Sequence, residues 1–289
     1  RDAQESRGLG DVYKRQVKHI VQNITDPDIV PYIPDGIGNS TDRQRIPAVL
    51  IIPGGAFRRL VYNFEGEDVA KWLNSMGIAA FVLECRLPSD EHDNAEDVPL
   101  IDAMRAMRVI RGRAQEFGID EAKIGVMGFS AGGFMAALLS TAYESDVYAD
   151  YKYKDEYDKL SARPDFAVCS YPVISIDDCI EAGKRYMSEE QVLERISDSK
   201  AKILHKYNPD KLVRPDMPPV FICETDDDRT TLSENSVGFY MAARKAGVSA
   251  ELHIFRTGGH GYGCGDDFAQ TGEWKVLFTK WIKSIGIIS

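Results

Sequence analysis

The sequence predicts an α/β protein with a mostly parallel, doubly wound sheet and helices on both faces. Short apolar runs alternate with longer amphipathic segments, an order typical of parallel strands joined by crossover helices. The runs 48–52 and 78–84 are apolar almost throughout, as in strands that are buried on both faces. Gly77 and Gly118 each follow a helical pattern, at the position where glycine commonly ends a helix.

The predicted strands are short and are separated by turn residues or by helical segments. They are expected at 17–25, 29–33, 48–52, 78–84, 123–127, 165–173, 220–225 and 250–255. The first two have no helix between them, whereas parallel neighbours need a long crossover connection. We therefore expect an antiparallel edge at the N-terminal side of the sheet.

The predicted helices show apolar residues at a spacing of three and four. They are expected at 65–76, 98–117, 135–142, 233–246 and 273–284. The polar, partly helical stretch at about 174–216 is interpreted as an insertion above the sheet. Together with the acidic loop 88–96, this insertion is expected to build much of the substrate pocket.

The first sixteen residues are treated separately. Residues 1–16 begin with Arg1 and are polar, with no apolar core of a signal peptide, so we interpret them as a non-native leader and leave them out of fold reasoning. The remainder, 17–289, is expected to form a single domain. As the chain stands, no signal peptide is seen and a cytoplasmic protein is predicted; secretion is the alternative if the native start is missing.

Composition excludes several classes of function. The chain has 35 basic and 45 acidic side chains and a net charge of -10, which argues against nucleic-acid and anionic-membrane surfaces. No apolar run approaches the roughly 18 residues that span a bilayer. The five cysteines are odd in number and irregularly spaced, so neither a disulfide framework nor a zinc site is indicated.

A G-x-S-x-G pattern at 128–132 places Ser130 between an apolar run and a helix of small residues. In a strand–turn–helix context this pattern holds the serine oxygen at the top of a sheet. The first N–H groups of the following helix favour negative charge at that point. Ser130 is therefore the candidate nucleophile, and an ordinary glycine-serine turn is the alternative.

A serine hydroxyl needs a general base, and the base needs an orienting acid. In doubly wound hydrolases the acid and then the histidine follow the serine. His260 is the candidate base because it lies in a glycine-rich segment after the last predicted strand, while His205 lies in the insertion and His253 within a strand. Metal binding by His260 and Cys264 is disfavoured, since two ligands are too few.

The acid cannot be chosen from spacing. Asp226, Asp227 and Asp228 follow the strand 220–225 consecutively. At least two of them are expected to be solvated, because three packed carboxylates would raise one another's pKa.

An oxyanion hole requires backbone N–H groups aimed at the developing charge. Ala131, next to the nucleophile, is one candidate donor. The other is Gly55 or Ala56, in the Pro-Gly-Gly loop after the strand 48–52. A phosphate cradle is disfavoured because no G-x-x-x-x-G-K-[ST] pattern is present.

Several stretches taken together resemble the α/β-hydrolase superfamily. Within it, the chain is similar to bacterial carbohydrate esterases of the acetyl xylan esterase or xylanase-associated kind, some of which also cleave feruloyl esters. The resemblance runs from about residue 46 to the C-terminus. The stretches that carry it are 52–57, 65–67, 70–74, 86–88, 102–111, 128–133, 163–167, 171–173, 234–236, 251–255 and 258–261.

The resemblance implies the acid that spacing leaves open. Counting back from the Glu-Asn-Ser segment 234–236 places it on Asp228. The implied catalytic triad is then Ser130, Asp228 and His260, with no metal and no organic cofactor.

Three residues depart from the family pattern. Glu224 replaces a usual His, Leu232 a usual Pro, and Ala56 a usual third Gly. The Glu224 departure leaves the substrate preference open more than the chemistry. Arg86 and Asp102 do match the family, and we expect them to form a structural ion pair beneath the site, because a buried charge is costly unless it is paired.

The resemblance implies a serine carboxylesterase that removes acetyl, or feruloyl, ester groups from xylan or xylo-oligosaccharides through an acyl-enzyme. Its partner is a small-molecule or oligosaccharide ester, with no nucleic acid and no membrane; the oligomeric state is left open. Three alternatives remain: a prolyl-oligopeptidase-like peptidase, a formamidase-type amidohydrolase, and a catalytically silent hydrolase fold that serves as a binding module.

Overall fold

The computed structural model describes residues 19–36, 45–90, 92–149, 151–185, 187–188, 190–192, 194, 202–265 and 270–289. The predicted leader 1–16 lies outside these residues, as does part of the predicted insertion. The described part of the insertion contains several short helical segments, among them Ile176–Lys184, Lys202–Lys206 and the 3-10 helix Pro209–Leu212.

The strands of the described residues form two sheets. They are β1 (Ile20–Val21), β2 (Asp28–Tyr32), β3 (Ile46–Ile52), β4 (Leu60–Val61), β5 (Ala79–Glu84), β6 (Ile119–Phe129), β7 (Ala167–Ser170), β8 (Val220–Thr225) and β9 (Ala250–Phe255). The main sheet has the order β2-β5-β3-β6-β7-β8-β9, and β1 pairs with β4 in a small antiparallel sheet. In the main sheet β2 is antiparallel to β5 and the other pairs are parallel. The predicted mostly parallel sheet with an antiparallel edge is confirmed.

The α-helices connect these strands. They are α1 (Asp68–Ser75), α2 (Val98–Gly112), α3 (Ala114–Phe117), α4 (Ala131–Ala142), α5 (Ile176–Lys184), α6 (Lys202–Lys206), α7 (Ser233–Lys245) and α8 (Glu273–Ser284). A single π-helical turn, Asn63–Glu67, precedes α1.

Several predicted elements have other bounds in the structure; the predicted strand 123–127, for example, is part of the longer β6. Of the predicted strand 17–25 the structure describes residues 19–25, and among these only Ile20–Val21 is a strand, which lies outside the main sheet. The predicted helix 98–117 is interrupted at Arg113, whose ψ of 15° is not helical. The predicted strand 165–173 is shorter because Tyr171 leaves the sheet with a positive φ of 37°.

Both faces of the sheet are buried. Leu50 on β3 belongs to a core that includes Met107 of α2 and Leu138 of α4. Its neighbour Val49 points the other way, into a core that includes Trp274 of α8. The alternation follows from the strand period of two, and it explains why the central strands are apolar at successive residues.

The parallel register brings the carboxyl ends of the central strands to one edge. Ile52 of β3 pairs with Gly128 of β6, and Phe129 of β6 pairs with Ser170 of β7. Ser170 in turn pairs with Cys223 of β8. The loops that follow these strands therefore meet, at the edge where open α/β sheets bind their ligands.

Candidate active site

Ser130 lies at the corner between β6 and α4. Its backbone has φ 54° and ψ −118°, a conformation that non-glycine residues rarely adopt. The corner is tight: a Cβ on Gly128 would lie 1.9 Å from the Gly132 carbonyl oxygen, and one on Gly132 would lie 1.9 Å from the Ile52 carbonyl oxygen. Both glycines of the motif are thus required for the strand and helix to approach this closely.

Ser130, His260 and Asp228 form one chain of hydrogen bonds. The His260 Nε2 atom lies 2.9 Å from Ser130 Oγ. On the other side of the ring, His260 Nδ1 lies 2.6 Å from Asp228 Oδ2. With Nδ1 protonated and donating to the carboxylate, Nε2 is free to accept the serine proton, which is the tautomer that a general base requires.

Asp228 differs from its two neighbours in burial. Asp226 and Asp227 are exposed, whereas Asp228 is 4% exposed. Its Oδ1 accepts the N–H groups of Thr230 at 2.7 Å and Thr231 at 3.0 Å. Burial alone would raise the pKa of Asp228, but the hydrogen bond and positive charge of His260, with these N–H groups, lower the pKa below its ordinary value. Asp228 is therefore ionised at neutral pH.

The acid loop and the histidine loop are joined by two hydrogen bonds. Asp227 Oδ1 accepts the N–H of Gly259 at 2.8 Å. Thr225 Oγ1 donates to the Gly259 carbonyl oxygen at 2.8 Å. These contacts position the residue before His260 relative to the end of β8, so the imidazole is oriented by the backbone as well as by Asp228.

The loop after β3 lies against the nucleophile. A Cβ on Gly54 would lie 2.9 Å from Ser130 Cβ. The N–H of Gly54 donates to Glu65 Oε2 at 2.8 Å, so it is already satisfied. Within the described part of the chain, the N–H groups of Gly55, Ala56 and Ala131 have no acceptor.

A small apolar pocket borders these amides. Its surface includes Gly55 and Ala131, but Ala56 is not part of it. The cavity volume is only about 10 Å³, close to what a single water molecule needs. Its walls are mostly hydrophobic and include Phe57, Leu60, Cys85, Leu87, Pro99 and Met135. The walls come from the β3 loop, β4, the segment after β5, α2 and α4. The insertion and the loop 88–96 were expected to build much of the pocket, but none of their described residues lines it.

Three site residues were not singled out from the sequence. Glu65 is buried and accepts a hydrogen bond from the Tyr171 hydroxyl at 3.0 Å. The Tyr171 ring packs edge-on against the His260 ring, with centroids 5.0 Å apart. Thr231 Oγ1 lies 3.0 Å from Asp228 Oδ2. Glu65 and Tyr171 do lie in stretches that carry the family resemblance, and that was the available signal.

The three departures lie around the site. Ala56 has a φ of 57°, in the left-handed region where the usual glycine would be less strained. Leu232 has a φ of -73°, which proline also adopts. Glu224 is fully buried at the end of β8.

One ion pair outside the triad was expected from the sequence. The expected ion pair between Arg86 and Asp102 is confirmed, with Arg86 Nη2 2.5 Å from Asp102 Oδ1.

Among the described residues, no group of three or more His, Cys, Asp or Glu could hold a metal ion. Over the same residues, no helix has the length and apolarity needed to cross a membrane.

Comparison with known proteins places this chain in a family. The family model BD-FAE matches residues 37–242. The acetylxylan esterase of Xylanibacter ruminicola is 31% identical over 240 residues, which is 82% of this chain and 45% of that protein. Endo-1,4-beta-xylanase B of Butyrivibrio fibrisolvens is 31% identical over 227 residues, 78% of this chain and 34% of that protein. The chain thus spans less than half the length of each.

Solved structures also match this chain, among them one that is covered over almost its whole length. It is the acetyl ester-xyloside bifunctional hydrolase from Caldicellulosiruptor lactoaceticus, with a TM-score of 0.74 and 35% identity. The match covers 94% of this chain and 98% of that chain.

Proposed function

Because the chain belongs to the BD-FAE family of α/β-hydrolase-like domains, we propose that it is a serine carboxylesterase that removes acetyl groups from xylan or xylo-oligosaccharides. The observation that carries the proposal is the hydrogen-bond chain from Ser130 Oγ through His260 to Asp228. The acetylxylan esterase and the acetyl ester-xyloside hydrolase among its relatives support the substrate class.

In the first half of the reaction Ser130 Oγ attacks the ester carbonyl carbon. His260 Nε2 takes the hydroxyl proton and later gives it to the leaving sugar oxygen, so that an acetyl-enzyme and a free sugar hydroxyl result. Asp228 holds the imidazole in the required tautomer and stabilises the imidazolium. Water then attacks the acetyl-enzyme, with His260 again accepting and returning the proton, and acetate is released.

The tetrahedral oxyanion is assigned to the N–H groups of Gly55 and Ala131. Both residues border the same pocket, and neither amide is used elsewhere in the described chain. The N–H of Ala131 belongs to the first turn of α4, where the helix dipole also favours negative charge. Preorganised donors of this kind contribute about 2.7–4 kcal/mol each to transition-state stabilisation.

The size of the pocket favours acetyl over feruloyl groups. Its apolar walls, including Leu60 and Met135, lie directly beside the proposed oxyanion site. An acetyl methyl group needs little space and no polar partner. A feruloyl group carries an aromatic ring with polar substituents, for which these hydrophobic walls offer few hydrogen-bond partners.

The test compares two substrates under one set of conditions. Acetate release from acetylated xylan is measured beside ferulate release from a feruloyl ester, with Ser130→Ala as the blank. We expect acetate release that depends on Ser130 and ferulate release that is much slower. If ferulate is released faster than acetate, the preferred substrate is a feruloyl ester and not an acetyl ester. Turnover of an N-formyl amide or a prolyl peptide, with no ester turnover, would instead support one of the amidase alternatives.

A further inference from the structure

A buried carboxylate joins the insertion to the start of α2. Asp97 immediately precedes α2 and is 8% exposed. Its Oδ1 accepts the hydroxyl of Tyr207 at 2.5 Å. The Nζ atom of Lys206 lies 2.6 Å from Oδ1 and 2.7 Å from Oδ2 of the same carboxylate. Two donors at the end of α6, more than a hundred positions further along the chain, therefore bind one carboxylate at the start of α2.

Asp97 does not cap the helix that it precedes. An aspartate at this position usually accepts the N–H of the second or third residue of the helix. Here the second residue is Pro99, which has no N–H, and within the described chain the Asp97 side chain makes no capping hydrogen bond. Its oxygens are used by Tyr207 and Lys206 instead. A buried carboxylate is costly unless it is paired and hydrogen-bonded, so these two donors fix the position of Asp97.

The first turn of α2 also forms part of the pocket wall. Pro99 borders the pocket, as do Gly55 and Ala131, whose N–H groups are assigned to the oxyanion. The N–H of Ile101 donates to the carbonyl oxygen of Asp97 at 3.0 Å, which closes the turn that contains Pro99. A displacement of Asp97 would therefore move Pro99 relative to the rest of the pocket.

The insertion packs behind the pocket as well. Ile203 and Leu204 of α6, and Tyr207 after it, are buried in the same hydrophobic core as Met135, another wall residue of the pocket. None of the described residues of the insertion lines the pocket itself. In the described chain, the insertion thus reaches the pocket through the wall residues that it supports.

We propose that Tyr207 and Lys206 are positioning residues that act through Asp97 to fix Pro99, and so keep the pocket too small for acyl groups longer than acetyl. The proposal rests on the proposed esterase function, which assigns this pocket to the acyl group. With a cavity volume of about 10 Å³, the pocket has little spare room. Even a small displacement of one wall therefore changes which acyl group fits.

Steady-state kinetics with acetate and propanoate esters of one alcohol test this role. Tyr207→Phe removes the hydroxyl donor but keeps the Lys206 ion pair, so the protein should still fold. We expect the ratio of kcat/KM for propanoate over acetate to rise about fourfold, the value of one additional buried methylene. The kcat for acetate should change little.

Three further variants separate this contact from general effects. Lys206→Met removes the ion pair and should shift the ratio in the same direction, whereas Lys206→Arg keeps the charge and should stay near wild type. Arg214→Gln is the matched control, because it breaks an exposed ion pair of the insertion with Glu144. The ratio should not change in this variant.

Two kinetic results would overturn the proposal. If Tyr207→Phe lowers the melting temperature but leaves the ratio unchanged, the contact with Asp97 has only a structural role. If Arg214→Gln raises the ratio as much as Tyr207→Phe does, the effect comes from loosening the insertion in general and not from Asp97.

Hydrogen exchange gives a readout that needs no turnover. The Ile101 amide reports the opening of the first turn of α2. Its exchange should become about tenfold faster in Tyr207→Phe, the scale of a lost hydrogen bond to a charged group. Unchanged exchange would contradict the proposed effect on α2 even if the protein is an esterase. If Ser130→Ala stays active, the proposed function fails while the exchange rate still reports this contact, so the two failures are distinguishable.

Discussion

The Tyr171 hydroxyl donates to Glu65 Oε1 at 3.0 Å and accepts the N–H of Gly263 at 3.0 Å. Glu65 in turn accepts the N–H of Gly54 through its other oxygen. One buried hydroxyl therefore connects the loop beside the proposed oxyanion site to the loop that carries His260.

Tyr171→Phe is expected to weaken both loops while keeping the ring packed against His260. The free energy of unfolding should fall by about 1–3 kcal/mol, because the buried partners lose a hydrogen bond. We expect kcat to fall as well, since the proposed oxyanion donor Gly55 follows Gly54 directly. Thermal unfolding and esterase assays measure the two effects. Tyr153→Phe, at an exposed hydroxyl, is the control, and equal effects of the two changes would contradict the role of Tyr171.

The three consecutive aspartates should differ sharply in their contribution to catalysis. Asp228→Asn is expected to lower kcat by roughly 10⁴ because the amide favours the wrong histidine tautomer. Asp227→Asn should cost less, since its Oδ1 can still accept the N–H of Gly259. Asp226→Asn should leave kcat close to wild type. Values of kcat for an aryl acetate give the ranking. A larger loss in Asp226→Asn than in Asp228→Asn would identify Asp226 as the acid of the triad.

The pattern of residues alone identifies the nucleophile and the base of the proposed triad, but not its acid. Ser130 and His260 could be predicted because turn glycines and chain order identify them locally. Asp226, Asp227 and Asp228 are chemically identical, and what separates them is burial, a property of the packed loops. Before the structure, only the family resemblance favoured Asp228.

The contact between Glu65 and Tyr171 was out of reach for a related reason. The two residues are 106 positions apart. Glu65 lies in the π-helical turn Asn63–Glu67 after β4, and Tyr171 directly follows β7, so only the folded chain brings them together. Ile20–Val21 illustrates the opposite error: a strand-like pattern spanned 17–25, but of its described residues, 19–25, only two pair with another strand.

Thermal stability should report the charge state of Glu224 through its pH dependence. The pKa of Glu224 is raised in the folded protein, whereas a Glu in an unfolded chain ionises at about pH 4.3. The contribution of protonated Glu224 to the free energy of unfolding is therefore complete below that pH. It is lost as the pH rises towards the pKa that Glu224 has in the folded protein. Glu224→Gln cannot ionise, so its melting temperature relative to wild type should increase from about pH 5 to pH 8.

A second variant separates ionisation from hydrogen bonding. Glu224→Met also lacks the ionisable group, so its difference from wild type should show the same slope with pH. Its overall stability should be lower, because the buried N–H of Thr225 loses its acceptor. If the difference in melting temperature from wild type does not change with pH for either variant, Glu224 has the same pKa in the folded and the unfolded protein.

The pocket beside Gly55 and Ala131 should accept longer acyl chains when the Met135 side chain is shortened. Met135→Ala opens space beside Leu60 and Leu87. At about 0.8 kcal/mol per buried methylene, the ratio of kcat/KM for a butanoate ester over an acetate ester should rise about tenfold. Met135→Leu conserves volume and should leave the ratio near that of wild type. An unchanged ratio in Met135→Ala would place the acyl group elsewhere.

The most direct test of the account is kcat of Ser130→Ala for an aryl acetate, measured on folded protein beside wild type. If Ser130 is the nucleophile of a triad that acts as a unit, kcat should fall by about 10⁶. Activity retained within about tenfold of wild type would contradict the nucleophile assignment, since even an isolated loss of this kind removes the covalent step.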